Sequence, residues 1–157
     1  MLSSCKRPVA TLALGAAILT ASTGVAAAKT TTPKRALFAT MNGVIAQDGV
    51  KGAGDRDGFG SFTAIRVGNR LCYALTLSNV DSPLGVRIYR GGPNANGPSN
   101  VGMRLPASGT PGTSSGCVAV LGSLLDRIFA KPADYYVNVQ SDDFRDSAIR
   151  GQLSSSR

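Results

Sequence analysis

The run Leu71-Cys72-Tyr73-Ala74-Leu75-Thr76-Leu77 decides the fold. Side chains alternate across a β-strand, so Leu71, Tyr73, Leu75 and Leu77 share one face while Cys72, Ala74 and Thr76 share the other. The run before it, Phe59 to Val67, alternates as well, with Thr63, Ile65 and Val67 on one side and Ala64 and Arg66 on the other. Gly68 and Asn69 make a short turn between them, which predicts a β-hairpin.

Moving outward, Val86 and Ile88 mark another strand, as do Tyr135, Val137 and Val139, and the chain closes in Ala148 to Leu153. Clusters of Gly, Asn, Asp and Pro separate these short apolar runs, the pattern of a sandwich or barrel. The expected fold is all-β, an antiparallel Greek-key-like β-sandwich with one short helix before the last two strands. In that helix Ser123 is the expected cap, Leu124, Leu125, Ile128 and Phe129 form a narrow apolar stripe, and Pro132 is the stop. Gly91 to Asn100 and Ala107 to Gly116, rich in Gly, Pro, Asn, Ser and Thr, are expected loops.

The start of the chain has the composition of an export signal over residues 1–28. Lys6 and Arg7 supply the positive end, Val9 to Thr20 is uncharged and apolar, and Ala26, Ala27 and Ala28 offer a small-residue cleavage site. The apolar stretch is about a dozen residues long, against roughly 20 for a spanning helix. No other segment is apolar enough to cross a bilayer, so no membrane span is expected after cleavage. Residues 29–35, rich in Thr, Lys and Pro, suit a mobile tail, and residues 36–157 form the domain.

Removing 28 of 157 residues leaves 129, enough to bury upwards of about 60% of the surface of the unfolded chain. Without Lys6 and Arg7 the 17 basic residues become 15, against 9 acidic ones that are all Asp, for a formal charge of +6. Such a charge aids solubility and attracts acidic partners such as a cell-wall polymer, a lipid headgroup layer or an extracellular polysaccharide. The cations are scattered and have few aromatics among them, which argues against nucleic acid.

Cys5 leaves with the signal, and Cys72 and Cys117 remain. Outside the cytoplasm an even pair reads as a disulfide. Closing a loop of about 46 residues stabilises by roughly 4 kcal/mol on the chain-entropy model. Cys72 lies on the face away from the large apolar side chains, which favours a bridge to a peripheral segment over a cross-core link. Free thiols or metal ligation are the alternatives, although two cysteines without histidine are too few for a structural zinc site.

The chain contains no histidine. It therefore has no imidazole to act as a base near neutral pH or to hold copper or zinc. Gly112-Thr113-Ser114-Ser115-Gly116 fits the Gly-x-Ser-x-Gly nucleophile pattern but lacks the histidine that would take the serine proton. Asp55 and Asp57, in Gly54 to Gly60, are candidate calcium ligands, since alternate carboxylates open a calcium loop. The chain has no Glu to complete one, and a turn in which Asp and Gly satisfy the backbone is the plainer account. Asp142, Asp143 and Asp146 offer the carboxylates a glycoside hydrolase needs, but such enzymes draw them from separate elements, so a solvated turn is expected. Arg87 and Tyr89 share a strand face, with Arg90 entering the next loop, and Tyr136, Asn138 and Gln140 share another. If the two strands are neighbours, these side chains make a polar, aromatic surface able to grip an anionic or carbohydrate ligand. An ordinary exposed sheet face is the other reading.

Tyr135-Tyr136-Val137-Asn138-Val139, then Phe144, then Ala148-Ile149-Arg150-Gly151-Gln152-Leu153 resemble the closing signature of the CHRD domain, a family named for its occurrence in chordin. That family typically ends in Tyr-Val-Asn-Val-His-Thr followed by Ile-Arg-Gly-Gln-Leu. Phe38, Gly54 to Gly60, Cys72 and Tyr73, Arg90 and Gly91, and Asn96-Gly97-Pro98 fall where its recurring residues would. The resemblance implies a β-sandwich found in bacterial secreted proteins and in chordin, whose parent protein binds growth factors outside the cell, with no general enzymatic activity. Here the usual Ala-His-Ile-His-Arg-Gly segment reads Val86-Arg87-Ile88-Tyr89-Arg90-Gly91, and Gln140 stands where the Asn-Val-His segment carries histidine. Any metal binding by those histidines is expected to be lost.

The expected function is a secreted or periplasmic, non-catalytic binding or structural domain without a cofactor. Its expected partner is an extracellular protein or an anionic polymer, contacted by Arg87, Tyr89, Arg90, Asn138 and Gln140. The alternatives are a degenerate metal-dependent oxidoreductase resembling copper-zinc superoxide dismutase in architecture, a carboxylate-based hydrolase, and a calcium-stabilised adhesin.

Overall fold

A computed structural model describes residues 35–43, 54–106 and 111–156. The expected signal and nearly all of the expected tail lie outside the described residues. The strands are β1 (Ala36–Asn42), β2 (Phe59–Val67), β3 (Arg70–Ser78), β4 (Pro83–Arg90), β5 (Ser99–Met103), β6 (Gly112–Ala119), β7 (Tyr135–Ser141), β8 (Ile149–Gln152) and β9 (Ser154–Ser155). One α-helix, α1 (Gly122–Ala130), and a 3-10 turn at Pro132–Asp134 lie between β6 and β7.

The hairpin predicted from Phe59 to Leu77 forms as β2 and β3, paired antiparallel from Phe59 opposite Ser78 to Val67 opposite Arg70. Gly68 takes φ +59° in the turn, a left-handed conformation open to glycine at little cost. The face carrying Leu71, Tyr73, Leu75 and Leu77 is the buried one, and by register Leu37, Met41 and Phe62 are buried on the same face. Ile65 and Val67 point outward, at 39% and 42% exposure.

The strands follow the order β5-β4-β7-β8-β1-β2-β3-β6, with β9 also on β1, and the pairings are antiparallel. Four pairs, β3 with β6, β4 with β7, β1 with β8 and β1 with β9, join strands distant in sequence. The result is the antiparallel, sandwich-like β-fold expected, nearly closed on itself. The path's two ends, β5 and β6, approach each other. Near them the Tyr73 hydroxyl accepts the backbone N–H of Arg104 at 2.8 Å, tying β3 to the chain leaving β5. Val86, Ile88, Val137, Val139 and Ile149 supply the core from the other half, and Leu125 and Ile128 of α1 add to it.

Three local expectations need correction, the first being that Ser99 and Asn100, expected as loop, begin strand β5. Gly112 to Gly116, expected as loop, opens strand β6. Its small residues show no apolar alternation, but β3 supplies the backbone partners along the whole strand, from Leu77 opposite Gly112 to Arg70 opposite Ala119. Ser123 does not cap the helix: the cap is Leu121, which makes no side-chain bond, and Ser123 lies inside the first turn. The helix is instead tied down by its stripe, with Leu125 and Ile128 buried, and by an ion pair between Asp126 and Arg66 of β2. That pair is exposed and adds little.

Cys72 and Cys117 stand directly opposite each other on β3 and β6 and form the disulfide, with Cα atoms 4.0 Å apart. The bridge fastens the last strand of the path, a peripheral partner as expected, and lies outside the core.

Candidate binding cleft

Antiparallel pairing places Arg87 opposite Asn138, Tyr89 opposite Tyr136 and Gly85 opposite Gln140. The outward residues of β4 and β7 therefore form one surface. The Tyr89 and Tyr136 rings stack with centroids 5.3 Å apart and planes 10° from parallel. Gly85 has no side chain, and Gln140 Oε1 lies 3.5 Å from where its Cβ would be, so the Gln140 amide rests over β4.

This face is not open to solvent along its length. Tyr136 and Asn138 are each only 4% exposed, because β8 and the 91–98 loop fold over them. The cover is built by three consecutive residues. Arg150 places its guanidinium 3.4 Å from the Tyr136 ring centroid, a cation–π contact. Its Nη2 donates to the carbonyls of Gly92 and Ala95, each at 2.8 Å, and its Nη1 to Asn96 Oδ1 at 3.4 Å. Gln152 shares its amide N–H groups among the carbonyls of Gly91 (2.9 Å), Ala133 (2.6 Å) and Tyr135 (2.7 Å). Between them Gly151 lets β1 come close: a Cβ there would strike the Thr40 carbonyl oxygen.

Arg150 is 4% exposed and forms no ion pair among the described residues. Burial pushes its guanidinium below its ordinary pKa, with the neighbouring Tyr136 opposing. It stays charged at neutral pH, because a guanidinium starts far above it. Neutral carbonyl acceptors and an aromatic face thus hold a desolvated cation.

Residues 16–153 match the family model described as CHRD domain. The chain belongs to the CHRD domain family. Among curated proteins and among solved structures no significant match is found. In this CHRD domain the Arg150-Gly151-Gln152 segment has a structural explanation: two long polar side chains lash the 91–98 loop to the sheet across a glycine on which β1 packs. Arg87, Tyr89 and Gln140 lie on the β4–β7 surface.

A cleft of about 200 Å³ opens on that surface. Tyr89, Asn138 and Gln140, expected as contacts, line it together with Tyr136 and Arg150. Asn138 is committed internally: its Nδ2 donates to the Asp146 carbonyl at 2.8 Å and its Oδ1 accepts from Ser147 Oγ at 2.5 Å. Gln140 Nε2 donates to the Arg145 carbonyl at 2.7 Å. Arg87 is exposed beside the cleft without lining it, and Arg90 lines a different one. Asn96, Asp146, Ser147 and Arg150 complete the walls and were not among the expected contacts. The alternation of Arg150 and Gln152 on β8 is the signal that could have added Arg150.

Among the described residues, Asp146 is the one acidic group that lines the cleft. Asp142 pairs with Arg145 at 3.6 Å, and both Asp142 and Asp143 are exposed. Asp55 is buried and Asp57 exposed. Burial, then the hydrogen bond and charge of Asp57, raise the Asp55 carboxyl above its ordinary value, against the lowering effect of backbone N–H groups at Gly58 and Asp57. Among the described residues no three His, Cys, Asp or Glu side chains gather as a metal site. A larger, shallow groove of about 660 Å³, lined by Phe38, Ile65, Ala74 and the disulfide among others, lies on the outer face of β1, β2, β3 and β6 and is mainly apolar.

Proposed function

We propose that this CHRD domain is a secreted, non-catalytic binding module that holds a carbohydrate segment of a cell-envelope or extracellular polymer in the cleft between β4, β7 and the 91–98 loop. One observation carries the reading: the Tyr89–Tyr136 stack stands in the same cleft as Gln140, Asp146 and Ser147. A sugar ring presents C–H groups that pack on an aromatic face and hydroxyls that pair with amide, carboxylate and hydroxyl groups. Tyr89 is the half-exposed member of the stack and meets the ligand; Tyr136 supports it from below.

Secretion is supported by the export-type N-terminus and by the disulfide, a bond that persists in oxidising compartments. No helix among the described residues is long and apolar enough to cross a membrane. A non-catalytic role is supported by the lack of histidine and by the single carboxylate that lines the cleft among the described residues, where glycoside hydrolysis uses two.

Retention of the secreted protein on polysaccharide fractions of the cell envelope tests the proposal. Tyr89→Ala combined with Gln140→Ala is expected to weaken retention by about tenfold or more, in line with the loss of a stacking contact and a hydrogen bond. Equal retention of both proteins, or turnover of a glycan by the wild type, overturns it.

A further inference from the structure

Alternation along β4 sends neighbouring residues to opposite faces, so Arg90 leaves the tyrosine cleft for another. That second cleft, of about 240 Å³, lies between the end of β4, the last turn of α1 and the start of β7. Arg90, Arg127 and Lys131 line it with Asp134 and the buried Tyr135. Three cationic residues and one acidic residue thus line it.

Backbone contacts, and not charge pairing, bring these groups together. Arg90 pairs with Tyr135 in the β4–β7 ladder, and the Gly91 N–H donates to the Asp134 carbonyl at 2.7 Å. Arg127 lies in the last turn of α1, and Lys131 follows as its C-cap. None of the three cations forms an ion pair among the described residues.

Cations near a helix C-terminus can serve to offset its carbonyl charge. Here carbonyls of that last turn have other partners. The Arg127 carbonyl accepts the Lys131 N–H at 3.0 Å, and the Phe129 carbonyl accepts Arg35 Nη1 at 3.1 Å. Arg90, Arg127 and Lys131 are all exposed.

We infer that this cleft binds a tetrahedral oxyanion ester, phosphate or sulfate, carried by an extracellular polymer. Two guanidinium forks and an ammonium, from the end of β4 and the end of α1, can engage such a group, and arginine pairs its donors with paired oxygens. The site shares no residue with the tyrosine cleft, so its fate is independent of the carbohydrate reading.

The test measures binding of the secreted protein to heparin, a sulfated polymer, and to inorganic polyphosphate at moderate salt. The wild type is expected to bind at least one, and which one tells sulfate from phosphate. Arg127→Gln with Lys131→Gln is expected to weaken that binding about tenfold or more. Asp134→Asn, which removes the cleft's carboxylate, is expected to tighten it, a gain that misfolding cannot produce. Arg56→Gln with Arg104→Gln removes the same charge away from the cleft and is expected to cost less than about threefold. Failure of the wild type to bind either polymer overturns the inference, as does an equal loss in the cleft and control variants.

Discussion

Arg150 lies over the ring of Tyr136, 3.4 Å from its centroid, while the same guanidinium holds the carbonyls of Gly92 and Ala95 at 2.8 Å. One side chain therefore joins β8, β7 and the loop that walls the tyrosine cleft. Replacing it by glutamine removes charge-assisted bonds and leaves half-buried carbonyls short of donors, each such loss being worth about 1–3 kcal/mol. Arg150→Gln is expected to destabilise the protein by about 2–4 kcal/mol in urea unfolding. Arg150→Lys keeps the charge but not the planar fork and is expected to recover less than half of the loss. An unaltered urea midpoint for Arg150→Gln would show that the loop is held by other contacts.

Gly151 and Gly92 make a matched pair for testing close packing. A Cβ on Gly151 meets the Thr40 carbonyl and sits 2.9 Å from Met41 Cγ, whereas one on Gly92 has nothing within 4 Å. Gly151→Ala is expected to cost about 1–3 kcal/mol as β1 and β8 are forced apart. Gly92→Ala is expected to be neutral or slightly stabilising, because it narrows the unfolded ensemble. Thermal melts of the two variants check this, and equal melting temperatures would contradict the assigned seam.

The disulfide closes a separation of 45 residues and fastens a strand at the end of the sheet path. Cys72→Ser with Cys117→Ser is expected to lower stability by about 2–4 kcal/mol. The loosening should be uneven: amide exchange in β6 is expected to speed up more than exchange in β7, which has β4 on one side and β8 on the other. Uniform acceleration across both strands would mean that the bridge acts only on the unfolded chain.

Asp55 predicts a pH dependence with a definite sign. Its carboxyl is raised above the ordinary 3.8, first by burial and then by Asp57, so the folded protein holds the proton more tightly than the unfolded chain does. The stability from this site is complete below 3.8 and is lost as pH rises through the folded value. Asp55→Asn retains an acceptor but cannot ionise. It is expected to exceed the wild type in stability near neutral pH, and the difference should shrink as pH falls. Urea unfolding between about pH 3 and 7 checks this, and a difference independent of pH would refute it.

Much of the fold is legible locally. The alternation of Leu71, Tyr73, Leu75 and Leu77 and the Gly68-Asn69 turn give β2 and β3, and the stripe of Leu125 and Ile128 gives the helix. β6 is not legible, because Gly112 to Ala119 has no apolar alternation and is a strand by virtue of β3 beside it. For the candidate contacts, alternation correctly put Arg87 with Tyr89 and Asn138 with Gln140. It also implies that Arg90 turns away from Tyr89, but the last turn of α1 waiting on that side cannot be read from β4.

From its residues alone the chain determined an all-β domain, a cysteine pair suited to bridging and the want of any imidazole, since strand period and composition are properties of neighbouring residues or of none. Only the tertiary structure decided that Arg150 reaches carbonyls 58 and 55 positions earlier and that two separate clefts lie on either side of β4. Those arrangements come from strand pairing and burial between distant segments. Such contacts depend on how the whole sheet closes, which no local pattern of side chains specifies.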